Sequence, residues 1–241
     1  MGDTTQGELK RRTPPDRLAS RLPHAYWIGG GSGAGKSTVA RRLAADYGLQ
    51  LYSCDDTIIP HIERSNPIDH PLLHSFLAMN MDERWVGRSP TEMLDTFRGF
   101  QGEGFELILE DLLALPAEPP ILVEGFKLLP RLVAPLSPPD HAVWLNPTPE
   151  FRSVAFEARG STWDIARRTS QPERALANLQ VRDRLFSERV FDEARASRLP
   201  VIEVTTDLTV EELTRRVADT FGLSSSPSRG DLGEVGGGQS E

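Results

Sequence analysis

AYWIGGGSGAGKST, residues 25–38, decides the reading of this chain. Three apolar residues, Tyr26, Trp27 and Ile28, lead into Gly30-x-x-x-x-Gly35-Lys36-Ser37, a complete match to the phosphate-binding loop G-x-x-x-x-G-K-[ST]. Its glycines let the backbone come close to an anion. Gly31, Ser32, Gly33, Ala34, Gly35, Lys36, Ser37 and Thr38 then form a run whose N–H groups, with the N-terminus of the next helix, point at phosphate oxygens. Lys36 adds a point charge near the β- and γ-phosphates, and the Ser37 hydroxyl is placed to ligate Mg2+. The motif needs a strand before it and a helix after it. Residues 24–29 read as that strand. The helix follows from residue 36 to 47, with Val39, Leu43 and Tyr47 at helical spacing and Gly48 as a stop.

Further along, apolar runs alternate with helical patterns, the mark of an α/β domain with a mainly parallel sheet. Residues 49–53 form a short second strand ending in Cys54-Asp55-Asp56. Ile121, Leu122 and Val123 make a third, an unbroken apolar run suited to the middle of a parallel sheet, ending in Glu124-Gly125. Residues 141–145 and 200–205 give the fourth and fifth. Thr148-Pro149-Glu150 reads as a helix start, Ser170-Gln171-Pro172-Glu173 as a capping box opening a long helix to about residue 197, and Thr209 with Glu212 as the cap of a last helix. Its apolar face is Leu213, Val217 and Phe221. Residues 60–119 read as a mostly helical insertion cut by Pro67, Pro71 and Pro90, with residues 106–115 a helix of their own. Ligands of such doubly wound sheets collect beyond the carboxyl ends of the strands. That rule selects Asp55, Asp56, Glu124 and the segment after Leu145.

The bulk properties agree with one domain at residues 23–223, between a polar leader at 1–22 and a tail at 224–241 with almost nothing to bury. The chain has 241 residues, 38% hydrophobic and 26% charged, as in globular proteins. A net charge of −8 argues against a non-specific nucleic-acid partner. A single cysteine, Cys54, excludes an intrachain disulfide and any multi-cysteine metal site. With no run of the ~20 apolar residues that span a bilayer and no signal-peptide centre, the expectation is a cytoplasmic protein with no membrane partner. Its oligomeric state stays open.

The run GGSGAGKSTVARRLAADYGLQLYSCDD resembles the start of shikimate kinase, and the chain resembles the P-loop NTPase superfamily of small-molecule kinases, which includes gluconate, adenylate and chloramphenicol kinases. The resemblance is close over residues 25–56, less so over 121–125, by pattern over 200–221, and does not extend to 60–119. The resemblance implies ATP and Mg2+ as cofactors and a small-molecule acceptor whose hydroxyl takes the γ-phosphate. It places Asp55, with Asp56 close behind, where the family keeps a carboxylate that accepts the hydroxyl proton. Ser53 stands where shikimate kinase has a further acid, which weakens shikimate itself as substrate. Glu124-Gly125 resembles the E-G of several such kinases, with Glu124 and Ser37 about the metal. The resemblance also implies a lid at residues 151–174, where Arg152, Arg159, Arg167, Arg168 and Arg174 flank Gly160. Arg159 and Arg167 are the chosen phosphate ligands, since a guanidinium fork suits phosphate oxygens.

The acceptor side falls to the insertion, through Asp82, Glu83, Arg84, Trp85, Arg88, Phe97, Arg98 and Phe100. Each aromatic residue alone reads equally as core. His70 and His74 have the i, i+4 spacing of a metal pair, but Pro71 intervenes, and hydrogen bonding at a helix start is the default. Cys54, Trp27 and Trp144 read as core. Two alternatives stand beside the leading one: a nucleotide or nucleoside kinase using the same parts, and a nucleotide-dependent ATPase or switch.

Overall fold

A computed structural model describes residues 15–159 and 161–223, and in it five strands form one sheet with every pairing parallel. The strands are β1 (Ala25–Gly30), β2 (Gln50–Ser53), β3 (Ile121–Glu124), β4 (Ala142–Pro147) and β5 (Val201–Val204), in spatial order β2-β3-β1-β4-β5. The chain runs from β1 to the edge, returns to β3, then crosses β1 to β4. The switch point therefore lies at β1, where a doubly wound sheet opens a crevice at its carboxyl edge. Register brings Ser53 level with Glu124, and Glu124 level with Ile28.

Side chains alternate across a strand, and both faces of this sheet are covered. Trp27, Ile121, Val123, Ala142 and Trp144 point to one face and join a core with Phe186 and Leu112. Ile28, Leu122, Val143 and Leu145 point to the other and pack with Val39, Leu43, Leu213 and Val217. Continuous apolar strands follow from this two-sided burial. Each such side chain contributes about 1.5–3 kcal/mol when fully buried. Trp144 lies 1% exposed with its Nε1–H donating to Leu128 O at 2.9 Å.

Helix α1 (Pro15–Ala19) precedes β1, and Leu22 is buried in the core, so residues 15–22, read as leader from sequence, belong to the fold. Residues 1–14, Gly160 and 224–241 lie outside the described residues. α2 (Lys36–Tyr47) follows the loop and ends on Gly48, as expected. The insertion is helical throughout: α3 (Ile58–Arg64), α4 (Pro71–Ala78), α5 (Met81–Trp85), α6 (Pro90–Thr96), α7 (Arg98–Gln101) and α8 (Phe105–Ala114). It is fastened to the sheet through Asp111, which accepts from Tyr52 Oη and His61 Nε2 at 2.7 Å each and from Arg64.

Past β3 come α9 (Pro130–Val133), a 3-10 turn at Pro139–His141, then α10 (Pro149–Arg159), α11 (Ser161–Ala166), α12 (Pro172–Ala196) and α13 (Val210–Thr220). The capping box expected at Ser170 does not form. Gln171 takes the N-cap without a side-chain bond, and the Ser170 N–H instead donates to Asp82 Oδ1 at 2.7 Å, tying α12 to the insertion. Thr209 does cap α13, its Oγ1 accepting from Glu212 N at 3.1 Å.

Candidate active site

The loop joining β1 to α2 stands at the switch point. Gly33 and Gly35 hold φ of 78° and 80°, left-handed values that glycine takes without steric cost. Gly35 is the N-cap of α2 and no side chain caps that helix, so its leading N–H groups remain available to an anion. The Thr38 N–H, counted with the loop from sequence, is already used by Gly35 O at 3.1 Å. Lys36 is 8% exposed and folds over its own loop, Nζ donating to Gly31 O at 2.7 Å.

The ends of three strands meet beside the loop. Cys54 N–H donates to Glu124 O at 2.9 Å and Gly125 N–H to Ile28 O at 3.1 Å. Gly125 has φ 158°, and a Cβ there would lie 2.6 Å from Cys54 Cβ, so only glycine lets β3 leave the sheet this close to β2. Glu124 is 3% exposed, and Ser53 Oγ donates to its Oε1 at 2.8 Å. This answers the cost of burying a carboxylate. Its Oε2 has no hydrogen bond to a described residue. Carboxylate and hydroxyl oxygens such as those of Glu124 and Ser37 are the donor type that Mg2+ takes.

Asp55 and Asp56 are both exposed on the turn after β2, adjacent to this junction. Cys54 between strand and turn is fully buried, and burial pushes its thiol up, so it is a packing residue as expected. Two buried cations stand nearby that the sequence reading did not assign as a pair. Lys127 Nζ donates to Cys54 O at 3.4 Å, and burial, with the neighbouring charge of Arg98, holds its ammonium below the usual lysine range. Burial likewise lowers Arg98. The signal for Lys127 was only its place three residues past Glu124.

On the arginine-bearing segment, α10 passes over the loop: a Cβ on Gly33 would lie 3.6 Å from Ala155 Cβ. One turn earlier is Arg152, whose Nε is buried without a partner and whose charge burial disfavours, with Asp183 opposing. The side chain of Arg159 and Gly160 itself lie outside the described residues. Arg167 and Arg168 are exposed on the turn after α11, and Arg174 is exposed in the first turn of α12. Among the described arginines of this segment, the inward one is thus Arg152, which the resemblance included without selecting it.

Several polar residues of the insertion turn out to brace it. Glu83 completes a capping box with Asn80, Arg84 donates to Phe76 O and Leu77 O, and Arg88 donates to Thr96 Oγ1. His70 Nε2 is 2.7 Å from Glu106 Oε1 while His74 Nε2 is 3.1 Å from Ser65 Oγ, so the two rings face different partners. No cluster of three metal-ligating side chains occurs among the described residues.

The aromatic residues behave differently. Phe76, Trp85, Phe97 and Phe100 from the insertion join Phe126, two residues past Glu124, and Phe186 of α12 around a cavity of about 280 Å³. Ser32 of the phosphate loop is part of its wall, as are Ile165, Arg182 and Asp183.

A phosphate-binding loop on the central strand of an all-parallel sheet ordered 2-3-1-4-5, at the carboxyl edge, is decisive. This chain has the P-loop NTPase fold. No protein-family model matches it, and no curated protein does. Among solved structures it is similar to deoxyadenosine kinase from M. mycoides with dCMP and dCDP bound, at 11% identity over 82% of this chain and 98% of that one, TM-score 0.45. It is also similar to TT1252 from Thermus thermophilus, at 22% identity over 82% and 97%, TM-score 0.47. For shikimate kinase from Acinetobacter baumannii in complex with shikimate, the values are 19% over 86% and 96%, TM-score 0.39. In this P-loop protein, no helix among the described residues is long and apolar enough to cross a membrane.

Proposed function

We propose that this P-loop protein transfers the γ-phosphoryl group of ATP to a hydroxyl of a small molecule. The observation that carries the reading is the shared wall: Ser32 belongs to the phosphate loop and also lines the aromatic cavity. A phosphate held by the loop and a molecule seated in the cavity are then neighbours, as in-line transfer requires.

The acceptor oxygen attacks the γ-phosphorus, an O–P bond forms, the bond to the β–γ bridging oxygen breaks, and ADP leaves with that electron pair. The hydroxyl proton passes to Asp55, exposed at the end of β2, with Asp56 as its neighbour on the same turn. Loop N–H groups, Lys36 and the inward Arg152 neutralise the charge spread over the phosphoryl oxygens. Glu124 and Ser37 are the residues that would hold Mg2+, which would supply positive charge to offset that of the phosphates. Glu124 is fixed for this by Ser53. Arg159 and Arg167 remain proposed lid ligands, and residues 151–174 the proposed lid.

The test is ADP release by the full chain, with and without pools of hydroxylated metabolites. Low basal release, stimulation by one acceptor, and loss of that stimulation in Asp55→Asn with ATP affinity kept are expected, the loss being about 10²–10⁴-fold. Fast acceptor-independent hydrolysis that survives Asp55→Asn would falsify the reading in favour of an ATPase or switch.

A further inference from the structure

The cavity contains an ion pair where a plain core would hold only apolar groups. Arg182 and Asp183 are consecutive on α12, 12% and 7% exposed in their side chains. Arg182 Nε and Nη2 both donate to Asp183 Oδ1. The guanidinium also lies 5.3–5.7 Å from the ring centroids of Trp85, Phe97 and Phe100. Burying such a pair gains little over apolar residues of the same volume. Its presence beside an open cavity therefore calls for another reason.

Arg182 Nη1 and Asp183 Oδ2 make no hydrogen bond to a described residue. The wall thus keeps one donor and one acceptor, while its two charges cancel. The remaining walls are π faces in a connected arc: Phe76 against Phe97 at 5.4 Å, Phe97 against Phe100 at 4.9 Å, and Phe100 stacked on Phe186 at 3.8 Å and 17°. Flat rings seat against such faces. Desolvated polar groups at the edge select a molecule that pairs with both and reject one that leaves either unpaired.

We infer that the cavity binds an uncharged alcohol carrying a flat heteroaromatic ring, with a ring-edge acceptor taken by Arg182 and a ring-edge donor taken by Asp183. This deepens the phosphotransfer reading and rests on it for the role of the hydroxyl. Acidic sugars and open-chain polyols should bind poorly against these walls, whose lining is mostly aromatic with few polar groups.

The experiment is equilibrium binding by calorimetry to the full chain, alongside ADP release. The probes are purine and pyrimidine nucleosides, non-nucleoside hydroxyalkyl heterocycles with an amino or oxo edge, phenyl alcohols without that edge, and gluconate with other acidic sugars. An edged heterocycle should bind best, and which of the first two groups does so identifies the source. Asp183→Asn, which turns the acceptor into a mixed group, should weaken that ligand about ten-fold or more and leave phenyl alcohols unchanged. If Asp183→Asn does not fold, Ile165→Trp, which fills the cavity from a half-buried wall, should abolish binding of the ring compound. Equal weakening of edged and edgeless rings by Asp183→Asn, or ring binding that survives Ile165→Trp, overturns the inference. Consumption of ATP with an acidic sugar while no ring compound binds overturns it and leaves phosphotransfer standing. A ring compound that binds but never accelerates ADP release sinks phosphotransfer and leaves the cavity's assignment intact.

Discussion

Most of what the proposed phosphate side needs comes from one short run, Gly30 to Thr38, with Glu124 and Arg152 added from β3 and α10. Much of that run acts through backbone N–H groups that any sequence with the right glycines can aim. The walls of the aromatic cavity come from the insertion, from Phe126 after β3, from Ile165 on α11 and from Arg182, Asp183 and Phe186 on α12. One half of the site is local and made of main chain. The other is assembled by packing and made of side chains. A local site can be read as a motif, and it fails as a unit when one residue changes. An assembled site has no motif, and its parts can be changed one at a time.

The sharpest way to break this contrast is Lys36→Ala. Lys36 carries its charge inward over the loop, bonded to Gly31 O at 2.7 Å. Its loss should weaken ATP binding and lower acceptor-stimulated ADP release by about 10²–10³-fold. A change confined to the acceptor's affinity would place Lys36 on the other half of the site. Gly125→Ala tests the junction between the halves. The new Cβ meets Cys54 Cβ at 2.6 Å in a backbone region unfavourable to alanine, and overpacking of this kind costs about 1–3 kcal/mol. The melting temperature should fall by roughly 2–4 °C per kcal/mol for a domain of this size. An unchanged melting curve would mean that β3 can leave the sheet another way.

The fastening of the insertion should show in acid. Burial by itself raises Asp111, but donors Tyr52, Arg64 and His61 outweigh it and hold the carboxyl below the ordinary value; burial lowers His61. Both groups have folded values below their unfolded ones. Their stabilisation is full above about pH 6.5 and is lost as pH falls, first through His61 and then through Asp111. Thermal melts of the wild type and Asp111→Asn should therefore differ most near neutral pH and converge toward pH 3. A gap that stays constant with pH excludes the linkage. The smallest effect expected is at Arg216, exposed on α13 and paired with Glu212 at 2.7 Å. Arg216→Ala should change stability by no more than about 0.5 kcal/mol in urea titration, as exposed i, i+4 pairs do.

Much of the frame was legible because its signals are local. Apolar runs at Ile121 to Val123 and around Trp144 mark strands covered on both faces, and Lys36 to Gly48 spells a helix with its stop. Cys54, Trp27 and Trp144 went to the core because nothing about them asked for water. Cys54, Asp55 and Glu124 fell at strand ends by counting. The failures have equally physical causes. Ser170 has the residues of a capping box, but Asp82, far off in the chain, claims its N–H. Glu83, Arg84 and Arg88 look like ligand-binding charges, yet short helices leave many orphan backbone groups, and these side chains satisfy or brace them. Arg182 and Asp183 have no local signal of their own, and only the packing of the insertion against α12 brings Trp85, Phe97 and Phe100 to Arg182.

By itself, then, the sequence determined the sheet, its parallel sense and the phosphate loop, since period, punctuation and glycine placement act over a few residues. Tertiary structure alone decided that Ser53 would pair with Glu124, that Lys127 would bind Cys54 O, and that Arg182 would stand among Trp85, Phe97 and Phe100. These contacts join residues tens of positions apart. Their energies depend on burial and on which partner arrives, and neither is written in the local pattern.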